Sequence, residues 1–345
     1  MGSDKLIFWF DEIGREYNDI VGKKCANLGE MIRIGFPVPP GFAISIDMYR
    51  RYILETGATN EMSWYVKGLG ELKGKGITVF EEISHTMQDI ICGKEMPLAV
   101  KKGISSHYEK LCNRVGISDV AVSVRSAGSE SRPGLFETYL NIRGIEEVLD
   151  KVKKVWASAY TARAIAFRIN KGLPIIGDEL GVAILKMVNS CSAGISFTVD
   201  PVTGDSSKVI IEANWGLGEG AVSGEERVDK FVVDKQSLEV TERNVGKKEK
   251  CVMNKEKGAE WNDVPADRQS IPCLGEEEIK EIAKLAIDLE ERLGYPQDIE
   301  WAIDLDFSFP QNIFFLQTRP VKVAIRTPAS TTDRIIDLIA KIYRH

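Results

Sequence analysis

The stretch that most restricts the fold is DIEWAIDLDFSFPQNIFFLQTRP, residues 298–320, in which two apolar runs flank a polar turn. It reads as a β-hairpin. Side chains alternate along a strand, so Asp298, Glu300, Ala302 and Asp304 point one way and Ile299, Trp301 and Ile303 the other. On the return strand Phe315, Gln317 and Arg319 share a face by the same rule. Pairing Glu300 with Gln317 then sets Asp298 opposite Arg319 and Ala302 opposite Phe315, gathering the polar groups at one end of the ribbon. Taken alone, the hairpin leaves a cross-strand salt bridge on a wet face and a functional cluster equally open.

The rest of the chain is mixed in order. Residues 18–35, NDIVGKKCANLGEMIRIG, read as a loop entering a helix with Ala26, Leu28, Met31 and Ile32 on its apolar side and Gly35 closing it. Residues 46–116 carry mainly helical spacing, residues 145–172 one long amphipathic helix or a pair, and residues 180–240 mostly strands. EEEIKEIAKLAIDLEERLGYP returns to a helix stopped by Gly294 and Pro296. There is no internal repeat, and the order of elements argues for an α+β fold. We divide the chain at 1–200, 201–322 and 323–345, the last being a polar linker followed by an amphipathic helix at about 333–344.

Composition excludes several classes. With 345 residues, 43% hydrophobic and 28% charged, the chain is long enough for two or three subdomains with real cores. A net charge of −6 without a basic block argues against a nucleic-acid or anionic-membrane surface. Six scattered cysteines lack metal spacing and read as reduced thiols of a cytoplasmic protein. The amino terminus has no signal-peptide pattern, and no apolar run approaches the ~18 residues of a membrane span.

Three further stretches bear on chemistry. In SVRSAGSESRPG, Arg125 ends an apolar strand and precedes a loop in which Ser126, Ala127, Gly128, Ser129 and Gly134 are small, a setting in which backbone N–H groups and a guanidinium can meet an anion; a plain surface turn is the alternative. The glycines at 216, 218, 220 and 224 do not form GxGxxG, and too few residues follow for a dinucleotide-binding crossover helix. Lys24 sits at a helix amino terminus, where a carboxylate is preferred, which hints at a bound anion, although an exposed lysine is the commoner case. Glu300 with Gln317 offers oxygen ligands of the kind Mg²⁺ accepts beside phosphates. Together these suggest a nucleoside triphosphate site without a Walker A sequence or kinase signatures.

The segments VGKKCANLGEMIRIGFPVPPGFAIS, VSVRSAG, ETYLNIRG, GISFTVDPVTGD, VIIEANWGLGEGAVSGE and DIEWAID…FFLQTRPV, in order from about residue 10 to 322, resemble the ATP-binding region of the phosphoenolpyruvate synthase and pyruvate phosphate dikinase family. Rifampicin phosphotransferase has a similar region. The resemblance implies an ATP-grasp fold of two subdomains with ATP between them. It implies phosphate-binding roles for Lys24 and Arg125, a phosphate-side loop role for Thr138, Mg²⁺ ligation by Glu300 and Gln317, and active-site roles for Asp298 and Arg319. Met187, Val188, Glu212 and Glu219 fall in motifs near the nucleoside. The sequence departs from the family at Gly22-Lys23-Lys24, where Gly-Gly-Lys is usual, at Leu185, where Gln is usual, and in a longer turn between Glu300 and Gln317.

The family also uses a carrier histidine in a Thr-Ser-His context, and His85, His107 and His345 lack that context. The resemblance therefore implies a histidine supplied by a separate partner subunit. It is similar in this respect to the separate ATP-binding subunit of phenylphosphate synthases, which would make phenol the final acceptor and AMP and phosphate the other products. The alternatives are a fragment of a phosphoenolpyruvate synthase or rifampicin phosphotransferase, or a nucleotide-sensing subunit without chemistry.

Overall fold

The structure, a computed structural model, describes residues 5–72, 74–130, 136–219, 228–255 and 258–321. Two antiparallel sheets organise it. The first has five strands, β1 (Ile7–Trp9), β2 (Gly41–Ile44), β3 (Val122–Ala127), β4 (Thr138–Ile142) and β5 (Gly181–Lys186), in the order β1-β2-β5-β3-β4. The second has six, β6 (Ser190–Phe197), β7 (Lys208–Trp215), β8 (Asp229–Asp234), β9 (Val240–Asn244), β12 (Gln297–Asp304) and β13 (Ile313–Pro320), in the order β13-β12-β6-β7-β8-β9. A separate ribbon pairs β10 (Lys250–Asn254) with β11 (Ala259–Asp263). The α+β expectation holds, and the change of sheet falls between Lys186 and Ser190, upstream of the division expected at residue 200.

The strands of the first sheet are apolar on both faces because each face meets a different core. Ile7, Trp9, Phe42, Val122, Val124 and Ile184 pack against a helical layer of α3 (Ile46–Glu55), α4 (Ala58–Gly68), α5 (Ile77–Cys92), α6 (Leu98–Val115), α7 (Ile145–Ala157) and α8 (Ala162–Asn170). The residues between them, Phe8, Ala43, Ala183 and Leu185, join a second core with α2 (Lys23–Arg33), the inner face of the second sheet and α9 (Glu276–Leu293). Since α2 packs against both sheets, it fixes its own amino terminus, after the short α1 (Asn18–Val21), at the place where they converge. The 145–172 region is a pair of helices, separated by a 3-10 turn at Ser158–Tyr160 with Thr161 capping the second. The helix expected at 333–344 lies outside the described residues, as do Gly134, Gly220 and Gly224.

One expectation about the hairpin is corrected. Glu300 pairs with Gln317 and Asp298 with Arg319 as anticipated, but a bulge after Glu300 makes Trp301 oppose Phe315 and Ala302 oppose Phe314. The extra residue is Leu316. Strict alternation would have put Phe315, Gln317 and Arg319 on one face, sending either the phenylalanine into the cleft or two polar side chains into the core. The bulge resets the count, so Phe315 is buried with Trp301 in the second core while Gln317 and Arg319 meet the carboxylates on the other face.

Candidate active site

Three elements bring the predicted residues together. The backbone N–H of Lys23 donates to the Gly128 carbonyl at 2.9 Å, docking the start of α2 on the loop after β3. Gly22 permits that approach: its φ is +83°, and a Cβ there would lie 2.1 Å from the Ala127 carbonyl oxygen. Lys24 thus stands beside Arg125, and both face Glu300 on β12.

Arg125 spans the two sheets. Its Nη2 donates to Glu300 Oε2 at 2.9 Å and to Gln317 Oε1 at 3.3 Å, and its Nη1 donates to the carbonyl of the bulged Leu316 at 3.2 Å. The same bulge that sorts the hairpin's faces therefore also presents a carbonyl to the arginine. Gln317 Nε2 donates to Glu300 Oε1 at 2.9 Å, and Arg319 Nε to Asp298 Oδ2 at 2.6 Å. Arg125 Nε is buried and has no partner among the described residues, a donor in want of an acceptor.

Burial and these charges set the protonation states. Burial would raise the Glu300 pKa, but Arg125 first, then Lys24 and Arg319, hold it below its ordinary value, so the carboxylate is ionised at neutral pH. Asp298 goes the other way, its burial outweighing Arg319 and lifting it above the usual value. Burial, followed by the repulsion of Arg125, lowers Lys24 to about 7 despite the attraction of Glu300. Glu219 is raised by burial against the pull of Arg125.

Arg125 and Glu300 form the charged end of a cavity of about 190 Å³ whose other walls include Leu185, Met187, Val188, Ala302 and Leu316. Thr138 and Glu219 line it too, and with Leu140 they are shared by an adjoining, more open cleft of about 670 Å³. Lys24, Asp298, Gln317 and Arg319 lie behind the charged end and are not lining residues, while Glu212 is half-buried in β7 opposite Ile195 and does not reach the cavity wall. Leu185 is a wall residue whose side chain offers no hydrogen bond into the cavity. Sequence reasoning missed Lys186, which lines the cavity while its ammonium contacts the Met187 carbonyl at 3.2 Å and the fully buried Asp304 at 3.5 Å. The available signal was Asp304, which shares the polar face with Glu300. His107 is packed against Trp9 and Phe42 with Nδ1 at 2.9 Å from the Gly103 carbonyl, and His85 is exposed on α5, so neither lines the cavity.

The donor set fits magnesium. Glu300 is an ionised carboxylate that accepts from the Gln317 amide nitrogen, and the Gln317 amide oxygen accepts from Arg125; both residues carry hard oxygen ligands. A metal here would take few protein oxygens and complete its shell with water and phosphate, as Mg²⁺ does in nucleotide sites.

Two antiparallel sheets converge on an Arg–Glu–Gln cluster, with an apolar cavity on one side and a lysine at a helix start on the other, an arrangement that fits the ATP-grasp-like domain that the chain's sequence matches. Comparison with known proteins gives the family: residues 18–337 match the pyruvate phosphate dikinase AMP/ATP-binding domain, and the chain belongs to that family. It is 39% identical over 353 residues to the phosphoenolpyruvate synthase of Aeropyrum pernix, covering 92% of this chain and 42% of that protein. It is 36% identical over 347 residues to a probable phosphoenolpyruvate synthase of Methanocaldococcus jannaschii, covering 99% of this chain and 28% of the relative. A probable phosphoenolpyruvate synthase of Methanothermobacter thermautotrophicus is 33% identical over 98% of this chain and 49% of its own length. The chain thus spans less than half the length of these relatives. No helix among the described residues is long and apolar enough to cross a membrane.

Proposed function

We propose that this chain is the ATP-binding part of a phosphoenolpyruvate synthase-type phosphotransferase, which binds Mg·ATP in the cleft between the sheets and donates a phosphoryl group to a histidine outside the described residues. The observation that carries this reading is the Arg125 guanidinium bridging Glu300 and Gln317 with one buried N–H still unpartnered. The base would occupy the apolar end by Leu185, Met187 and Val188, and the phosphates would run toward Lys24, Arg125 and Arg319. Glu300 and Gln317 would hold the Mg²⁺, which when bound supplies neutralisation of the phosphate charge. Arg125 and Arg319 fix the phosphates in line, and the buried cluster excludes water. Phosphoryl transfer is mainly positioning and charge stabilisation, so no nucleophile in this chain is required.

By family resemblance the histidine attacks the β-phosphorus and releases AMP, carrying the β- and γ-phosphoryls together, and a water then takes the γ-phosphoryl off as phosphate so that the β-phosphoryl stays on the histidine. Pyruvate is favoured as the final acceptor because the relatives cited above are named phosphoenolpyruvate synthases; the link to phenylphosphate synthase draws no support from them. The test is to incubate the chain, Mg²⁺ and ATP labelled at the β position with a histidine-bearing polypeptide and either pyruvate or phenol. Acid-labile label on that polypeptide, AMP release and label in phosphoenolpyruvate are expected. Label in phenyl phosphate would reassign the acceptor, and ATP binding without AMP would overturn the transfer role.

Lys24 makes the affinity pH-dependent. Burial and Arg125 bring its pKa to about 7, so it is only partly charged at neutral pH, and an adjacent polyphosphate would raise that pKa by favouring the ammonium. Binding then takes up protons, so ATP affinity is expected to decline as pH rises from about 6.5 to about 8.5. Calorimetry in buffers of different ionisation enthalpy should register the uptake, and Lys24→Met should abolish it.

A further inference from the structure

We infer that the β10–β11 ribbon is a strap across the open side of the nucleotide cleft and that Asn141 is the positioning residue that latches it. The ribbon is rooted in the second lobe. The Leu217 N–H donates to the Val252 carbonyl at 2.8 Å, and Asn214 Nδ2 to the Lys250 carbonyl at 3.2 Å. Gly216 has φ +75° and a Cβ there would lie 2.2 Å from the Val252 carbonyl oxygen, so the root seats only against a glycine.

The far end reaches the first lobe. Asn141, on the edge strand β4, is 4% exposed and donates through Nδ2 to the Lys255 carbonyl at 2.5 Å and to the Gly258 carbonyl at 3.0 Å. It holds a left-handed backbone, φ +53°, next to the end of β4, where the register against β3 shifts and two residues, Leu140 and Asn141, oppose one; asparagine tolerates this conformation better than most side chains. Between root and latch lies the 670 Å³ cleft, walled by Asn141, Arg143, Gly258 and Ala259 and sharing Thr138 and Glu219 with the inner cavity. Two-stranded ribbons are marginal alone, and β11 is largely exposed, so the latch decides how long the strap stays shut.

The inference rests on the proposed nucleotide site, and the two are separated by measurement. Hydrogen exchange on the full chain without nucleotide is compared for the unaltered protein, Asn141→Gly, which keeps the left-handed backbone, and Asn141→Asp, which keeps the shape but loses the donor. Exchange over residues 250–255 and 258–263 should accelerate about tenfold in both variants, the effect of losing two hydrogen bonds, while β3 and β5 stay protected. Release of a fluorescent ATP analogue, followed by stopped flow, should accelerate by a similar factor, with arrival also faster. Unchanged exchange, or unchanged association and release, overturns the strap. If the unaltered chain binds no nucleotide, the proposed function fails, while exchange still judges the latch.

Discussion

Glu300→Gln is expected to reduce phosphoryl transfer on the order of a hundred- to a thousandfold while leaving the fold intact. The substitution keeps the size and most of the hydrogen-bonding capacity of the side chain, and Arg125 retains the Leu316 carbonyl and Gln317 Oε1. What disappears is the carboxylate that Arg125, Lys24 and Arg319 keep ionised against its burial at the charged end of the cavity. Magnesium affinity should fall with it, which titration of Mg²⁺ against bound nucleotide would measure without any turnover. Arg319→Met separates the two kinds of charge: it is expected to leave metal binding near normal, because Glu300 and Gln317 are untouched, and to lower transfer, because a cation beside the phosphates is lost; Asp298, already lifted by burial, rises further without its partner. Normal AMP formation in either variant would sink the assignment. Unchanged Mg²⁺ affinity in Glu300→Gln would move the metal elsewhere.

How much of this was legible beforehand depended on the range of the interactions. The Glu300–Gln317 and Asp298–Arg319 pairs follow from strand alternation within one hairpin, a local rule. The bulge at Leu316 does not, because it is set by Phe315 reaching a core built from α2, α9 and the first sheet. Arg125 was visible as a charged residue ending an apolar strand, but its partners lie 175 and 192 positions away, and nothing in the spacing fixes that meeting. Asn141 gave no signal at all. A left-handed asparagine inside a strand has no sequence signature of its own, and its role exists only through the ribbon beyond it. The resemblance to a family filled in the long-range part, and the geometry supplies the physical reason for it.

The largest effect on stability is expected from Asp229→Ala, a loss of roughly 3–5 kcal/mol. Asp229 and Lys248 both have wholly buried side chains and pair at 2.6 Å. The carboxylate is also a junction: Oδ1 accepts from the Gly246 N–H at 3.0 Å and Oδ2 from the Cys273 N–H at 2.8 Å, tying the start of β8 to the foot of the β10–β11 ribbon and to the approach to α9. Removing it strands a buried ammonium, whose remaining acceptor is the Gly246 carbonyl at 3.0 Å, and leaves two backbone donors without partners. Lys248→Met is the informative contrast. It removes the buried cation, fills much of the same space, and leaves Asp229 with both backbone N–H groups, so it should cost clearly less than Asp229→Ala. Urea unfolding of the two variants would measure the asymmetry. Equal losses would mean that the ion pair itself, rather than the carboxylate's backbone contacts, carries the junction. Because this pair helps fix the foot of the ribbon, together with Asn214 and Leu217, and Asn141 latches its far end, a loosened junction should also speed nucleotide release, and an Asp229→Ala chain that unfolds early yet releases nucleotide normally would uncouple the two.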